Sequence, residues 1–230
     1  MAAQIAVVED ELALAANYCD ALRQRGFAVH HYPDRAAAQR AFGEALPDLA
    51  IIDIALGNEP EGGFELCRQL RSQSRELPIV FLTARDDDID IVSGFRLGAD
   101  DYLSKTISLV HLQARVTALL DRTAALRANN GEPTELERGH LTLDTARMRA
   151  AWRGEALNLT VTEYWIVEAL ARRPGHVKSR QQLMEAASTV LDDSTVTSHI
   201  KRIRRKFHEV DHEFNGIETA YGMGYRWLDT

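Results

Sequence analysis

Long hydrophobic runs are absent from this 230-residue chain. No stretch reaches the ~18 apolar residues that a membrane span requires, so no membrane insertion is expected. Residues 1–10 have no basic end leading into an apolar run and a cleavage site, which argues against a secretory signal and for a cytoplasmic protein. Cysteine is scarce. Cys19 and Cys67 each fall in a helical pattern without zinc-ligand spacing, so buried thiols are expected rather than a disulfide framework or a zinc site. A glycine-rich nucleotide loop is missing too: Gly62-Gly63, Gly94 and Gly98 do not have the spacing that cradles phosphates. Any phosphoryl group handled here would come from a protein or small donor, not from directly bound ATP.

Charge is present, and unevenly spread. Residues 1–121 carry 19 Asp or Glu against 11 Lys or Arg, a net of −8, while residues 122–230 carry 15 against 16, a net of +1. Within the second part, residues 172–206 hold nine basic and three acidic side chains. The front half repels a polyanion and the back half contains a patch that attracts one. The overall pI of ≈ 5.6 therefore does not exclude DNA binding; it implies two domains with different partners.

The front half alternates short apolar strands (5–8, 27–32, 49–52, 77–82, 101–103) with helical patterns (11–25, 34–45, 64–75, 87–97, 109–120). Near-continuous apolar strands between helices predict a doubly wound, five-stranded parallel α/β sheet covered on both faces. In such sheets the site lies at the carboxyl ends of the strands. The residues there are Glu9, Asp10, Asp53, Thr83 and Lys105. Singly, each could be a solvated loop residue, but they recur at four strand ends. Converging carboxylates repel unless a hard cation sits between them, and Mg²⁺ prefers oxygen ligands. Asp53 could both ligate the ion and attack a phosphoryl group, with Thr83 and Lys105 meeting phosphoryl oxygens.

The segments Val7-Val8-Glu9-Asp10-Glu11, Ile51-Ile52-Asp53, Leu82-Thr83-Ala84-Arg85 and Gly98-Ala99-Asp100-Asp101-Tyr102-Leu103-Ser104-Lys105 resemble the receiver domain of bacterial two-component response regulators. The resemblance implies that a sensor histidine kinase phosphorylates Asp53. It implies that Glu9 and Asp10 bind Mg²⁺ with Asp53 and the backbone carbonyl of Ala55, and that Thr83 and Tyr102 form a switch pair. It also implies homodimerisation on phosphorylation, through the face of the 87–97 helix, the 101–103 strand and the 109–120 helix. Asp100, Asp101, His111, Arg115 and Arg122 are the candidates on that face, with Arg115 and Asp101 expected to pair across it. The chain departs from the family pattern in three places. Thr106 follows Lys105 where proline is usual, which leaves a cis or a trans peptide open. His111 and Ile91 stand where a charged pair is usual. The 54–63 loop looks slightly long.

Residues 122–135 change character and read as a linker, with helix formers giving way at Asn129-Asn130-Gly131 and Pro133. Beyond them, in 136–230, come strand candidates at 136–138, 141–143, 148–152 and 156–157, then a helix opened by a Thr160–Glu163 capping box. A second helix is expected over 179–187 and a long one over 194–210. The long helix carries Val196, Ile200, Ile203 and Phe207 as an apolar stripe, with Thr197, His199, Lys201, Arg202, Arg204 and Arg205 at other positions. Such a helix suits a major groove, although a solvated basic helix gives the same pattern. Two strands joined across Ala220-Tyr221-Gly222-Met223-Gly224 turn helix-turn-helix into an α+β winged helix. Trp152 and Trp165 read as core.

Segments 157–164, 177–183, 196–206 and 222–226 resemble the winged-helix effector domain of the OmpR/PhoB class, and are most similar to ChvI-type regulators of alphaproteobacteria. The resemblance implies a phosphorylation-controlled transcription factor, not an enzyme, that binds direct-repeat half-sites on double-stranded DNA and works with RNA polymerase. Lys178 and Arg180 are expected on phosphate. Thr197, Ser198, Lys201, Arg202, Arg204 and Arg205 are expected toward the groove, with Arg202 the first candidate for reading a base. Tyr221 stands at the wing tip where arginine is common, leaving Arg226 as the nearby basic group. Two alternatives stay open: a regulator whose receiver is only a scaffold, and a Mg²⁺-dependent phosphohydrolase. The second is disfavoured because Ala55 stands where an aspartate two residues after the nucleophile could serve as general acid.

Overall fold

The computed structural model describes residues 2–84, 98–128, 135–145, 147–187 and 193–228. It divides into two compact units, Met1–Leu120 and Asp121–Thr230.

The first unit holds β1 (Gln4–Val8), α1 (Leu12–Gln24), β2 (Ala28–Tyr32), α2 (Arg35–Glu44), β3 (Leu49–Ile52), α3 (Gly62–Gln73), β4 (Ile79–Thr83), β5 (Asp101–Ser104) and the start of α4 (Leu109–Ala128), which passes out of the unit after Leu120. The helix expected over 87–97, with Ile91, lies outside the described residues. The strands form one parallel sheet in the order β2-β1-β3-β4-β5. Strands β1 and β3 read as unbroken apolar runs because both of their faces are covered: Ile5, Ala6, Val7 and Val8, like Leu49 to Ile52, are at most 1% exposed. Ala6, Val8 and Ile52 pack on one side with Phe64, Leu66 and Phe81, while Ile5, Val7 and Ile51 pack on the other with Leu22, Leu112 and Val116. The last helix runs to Ala128, through the first half of the expected linker. Residues Ala124 to Ala128 are Ala, Ala, Leu, Arg, Ala, all strong helix formers.

A buried fork fastens the β4–β5 return. Arg71, in the last turn of α3, donates to the carbonyls of Gly98 (2.8 Å) and Leu77 and to the Asp100 carboxylate (2.6 Å). Asp100 also accepts from the Ile79 amide at 3.0 Å and is fully buried.

The second unit opens with a four-stranded antiparallel sheet, β6 (Glu135–Arg138) to β9 (Glu155–Leu157) through β7 (Leu141–Asp144) and β8 (Arg149–Trp152). Three helices follow, α5 (Val161–Ala171), α6 (Arg180–Ala186) and α7 (Asp193–Val210), then the hairpin β10 (Ile217–Ala220) and β11 (Gly224–Trp227). Their core is aromatic: Trp152 meets Phe207, Phe214 and Trp227 edge-on, and Phe207 stacks on Phe214 with centroids 4.1 Å apart. This is the winged helix-turn-helix expected from the sequence.

Candidate functional site

Sheet register builds the acidic site. Val8 lies beside Ile52 where β1 and β3 pair, so the next residue on each strand, Glu9 and Asp53, emerges at neighbouring strand ends. The strand order reverses here, since β1 has β2 on one side and β3 on the other, and that leaves a crevice. Lys105, just past β5, spans the opening: its Nζ lies 2.7 Å from Glu9 Oε1 and 2.8 Å from Asp53 Oδ2. Burial pulls the Lys105 ammonium down, but the two carboxylates outweigh it and the group titrates above its ordinary value. Glu9 is raised, chiefly by burial and further by the Asp53 charge, against the pull of Lys105.

Backbone donors complete the arrangement. Asp53 Oδ1 accepts from the Ile54 amide at 2.7 Å, and exposed Asp10 accepts from the Gly57 amide at 3.1 Å. The turn after Asp53 is closed by a Leu56–Glu59 bridge, with partly buried Ala55 just before it. Gly63 is required beneath this turn, because a Cβ there would lie 2.0 Å from the Asp53 carbonyl oxygen. One carboxylate oxygen from each of Glu9, Asp10 and Asp53 lies within 4.8 Å of the others. An all-oxygen donor set with one exposed member suits a small hard cation that keeps part of its water.

Around this pocket, Thr83 ends β4 beside Ser104. The Tyr102 ring is half-buried and tilted against Phe81, centroids 6.2 Å apart. No peptide bond among the described residues is cis, so Lys105–Thr106 is trans; the Thr106 amide and hydroxyl both meet Ser104 Oγ. Two expectations for the dimer face need correction. Asp100 does not face a partner, because its carboxylate is buried under Arg71. Asp101 and Arg115 do pair, at 2.7 Å, but within the chain, with side chains 1% and 11% exposed. Desolvation there raises Asp101 although Arg115 pulls it down. His111 is exposed at the start of α4. Nothing is described of the Arg122 side chain.

In the second unit, the largest correction concerns Arg202. It is 4% exposed and turned inward, its Nε 2.7 Å from Glu163 Oε1. Lys206 reaches the other oxygen of Glu163 at 2.5 Å, and that oxygen also accepts from the Thr160 amide at 2.8 Å. Burial alone would raise the fully buried Glu163, but Arg202 and Lys206 together hold it well below the usual carboxylate range. With its guanidinium committed to this cluster, Arg202 is not available to read a base. His199 is likewise buried.

The remaining candidates lie where the surface opens. Lys201 and Arg205 are exposed, the latter loosely paired with Glu209 at 3.7 Å, and Thr197 and Ser198 are half-buried on α7. Arg204 donates to the Ile217 carbonyl and to Thr219 Oγ1, both at 2.9 Å, tying α7 to the hairpin. Lys178 bridges Tyr225 through its backbone. Arg180 opens α6 behind the Ser179 cap. Tyr221 is 91% exposed at the hairpin tip, whereas Arg226 is paired with Glu218 across the hairpin. Sequence reasoning missed two residues here. The sequence pattern marks Glu163 only as a cap and Tyr225 only as strand.

Comparison with known proteins follows the same division. Residues 5–117 match the response regulator receiver domain family, and residues 154–227 match the family described as transcriptional regulatory protein, C terminal. The transcriptional regulatory protein BaeR of Escherichia coli O6:H1 is 36% identical over 227 residues, covering 97% of this chain and 92% of BaeR. CreB of Escherichia coli K12 is 36% identical over 223 residues, covering 95% of each chain. Thermotoga maritima DrrB, a solved structure described as an OmpR/PhoB homolog, superimposes with a TM-score of 0.52 at 26% identity, covering 99% of this chain and 100% of DrrB.

Proposed function

The chain belongs to the OmpR/PhoB-type response regulators, DNA-binding transcriptional regulators rather than enzymes, and from that premise we propose that Asp53 carries the phosphoryl group that controls it. The observation that carries the reading is the fixing of Asp53 at the strand ends, with one oxygen on the Ile54 amide and the other on Lys105. A carboxylate oxygen of Asp53 attacks phosphorus in line. The P–N bond to a kinase phosphohistidine breaks, its electron pair stays on the imidazole nitrogen, and an acyl phosphate forms. Lys105 turns from the carboxylates to a phosphoryl oxygen. Glu9, Asp10, Asp53 and the Ala55 carbonyl are the ligands assigned to Mg²⁺, which when bound neutralises charge at the transferring group. Thr83 supplies a hydroxyl to the same group, and Tyr102 responds to it.

On this reading the phosphorylated chain pairs with a second copy, and two winged helices bind direct-repeat half-sites in reach of RNA polymerase. His111 and Arg122 remain candidates on the dimer face. Base reading passes from Arg202 to Lys201 and Arg205, with Thr197 and Ser198 beside them. Lys178, Arg180 and Arg204 hold phosphate, and Tyr221 and Arg226 serve the wing. A cytoplasmic location fits these partners, and no helix among the described residues is long and apolar enough to cross a membrane. The finer ChvI-type placement rests on the sequence segments alone; failure to complement an alphaproteobacterium lacking its ChvI regulator would count against it. The acceptor is tested by incubation with phosphorylated cognate kinase and Mg²⁺. Wild type should label, Asp53→Ala should not, and equal labelling of the two would overturn the assignment.

A further inference from the structure

Four of the DNA-face candidates converge on one buried residue. Tyr225 is 3% exposed in β11. The Arg180 guanidinium lies over its ring at 5.5 Å from the centroid and that of Arg204 at 5.9 Å. Thr197 Oγ1 lies 3.3 Å from its hydroxyl, and its backbone exchanges two hydrogen bonds with Lys178, at 2.8 and 3.0 Å. These partners come from two separate stretches of chain, the 178–180 segment that opens α6 and the long helix α7. The neighbouring Gly224 makes the approach possible: it has φ +141, and a Cβ there would lie 2.0 Å from the Lys178 carbonyl oxygen. Both guanidiniums fall within the ~6 Å at which a cation is drawn to an aromatic face.

We infer that Tyr225 is a positioning residue for DNA binding: its ring holds the Arg180 and Arg204 guanidiniums in place before DNA arrives, so that phosphate meets two oriented cations. A free arginine loses rotamer freedom when it closes on phosphate; a side chain already laid on a ring loses less. The second bond set on Arg204, to Ile217 and Thr219, fixes the same group from the hairpin side. The inference rests on the reading that Arg180 and Arg204 contact phosphate.

The test uses the full-length chain and a random-sequence DNA duplex, with affinity measured across a salt series. Each phosphate contact contributes about 0.9 to the slope of log K against log salt. Arg180→Ala and Arg204→Ala should each reduce the slope by about that amount. Tyr225→Leu, which keeps both charges, should lower affinity at least about threefold at every salt concentration while leaving the slope near wild type, because the same phosphates are met by cations that must first be ordered. Tyr225→Phe, which keeps the ring and loses the Thr197 contact, should leave both affinity and slope near wild type. A folded Tyr225→Leu protein with unchanged affinity would overturn the inference. If the arginine variants themselves leave the slope unchanged, the phosphate reading fails first and takes the inference with it. Should Tyr225→Leu not fold, the side-chain Nε–Hε order of Arg180 in DNA-free wild type decides, because Arg204 is held by the hairpin in any case. An order parameter below about 0.6 would overturn the inference, and a rigid Arg180 group would support it.

Discussion

Substituting Glu163 by glutamine tests whether the second unit depends on its buried charge cluster. The side chain has no exposure, and its partners Arg202 and Lys206 are 5% and 16% exposed. Glutamine matches the volume and can still accept from the Thr160 amide. It removes the only negative charge that these bonds give the two cations. Removing one member of a buried pair costs ~3–5 kcal/mol, and because Lys206 reaches solvent more readily than Arg202, we expect about 3 kcal/mol. That is a large share of the ~5–15 kcal/mol that holds a domain together. At ~4–8 °C per kcal/mol for small domains, the melting temperature should fall by more than about 10 °C. The assay is selective, because Trp152, Trp165 and Trp227 are the only tryptophans and all lie in the second unit. Their fluorescence follows that unit's transition alone. The double variant Glu163→Leu/Arg202→Met removes charge and partner together and should recover at least half of the loss. A fall of under about 3 °C for Glu163→Gln would refute the argument.

Acid should act through the same residue. A depressed folded pKa gives stability that is complete above the ordinary glutamate value of ~4.3 and is lost as pH falls toward the folded one; wild type should therefore weaken below about pH 4, while the Glu163→Gln curve should be flatter over that range in fluorescence-monitored urea titrations. Gly63→Ala would drive a methyl group into the Asp53 carbonyl, so phosphoryl labelling should slow at least tenfold while circular dichroism stays near wild type; unchanged labelling would show that the turn relaxes without cost. Gly224→Ala should weaken all duplexes alike by pushing Lys178 away from the hairpin, and an effect confined to one DNA sequence would argue otherwise.

Much of this was legible in the sequence because the signals are local. Apolar runs ending in Glu9 and Asp53 give both the parallel sheet and the acidic crevice, and the capping pattern of Thr160 and Glu163 starts α5 where it is found. Partners supplied from a distance were not legible. Arg202 lies on the polar part of the apolar pattern of α7, yet it is buried because Glu163, 39 residues earlier, brings a carboxylate to that flank. The true buried face of the helix is thus wider than its hydrophobic stripe. Asp100 misled in the same way, since its partner Arg71 sits 29 residues away. Tyr225 reads as an ordinary strand residue until α6 and α7 are folded against it.

The Arg71 fork also has a mechanical meaning. Its guanidinium grips the chain just before β4, at Leu77, and just before β5, at Gly98 and Asp100. The starts of β4 and β5 are therefore clamped to each other through α3, independently of the strand ladder. A pull on the chain arriving at Gly98 is borne first by this clamp. The edge strand β5, which carries Lys105 at its exit, is shielded from that load, so Lys105 keeps its place against Glu9 and Asp53.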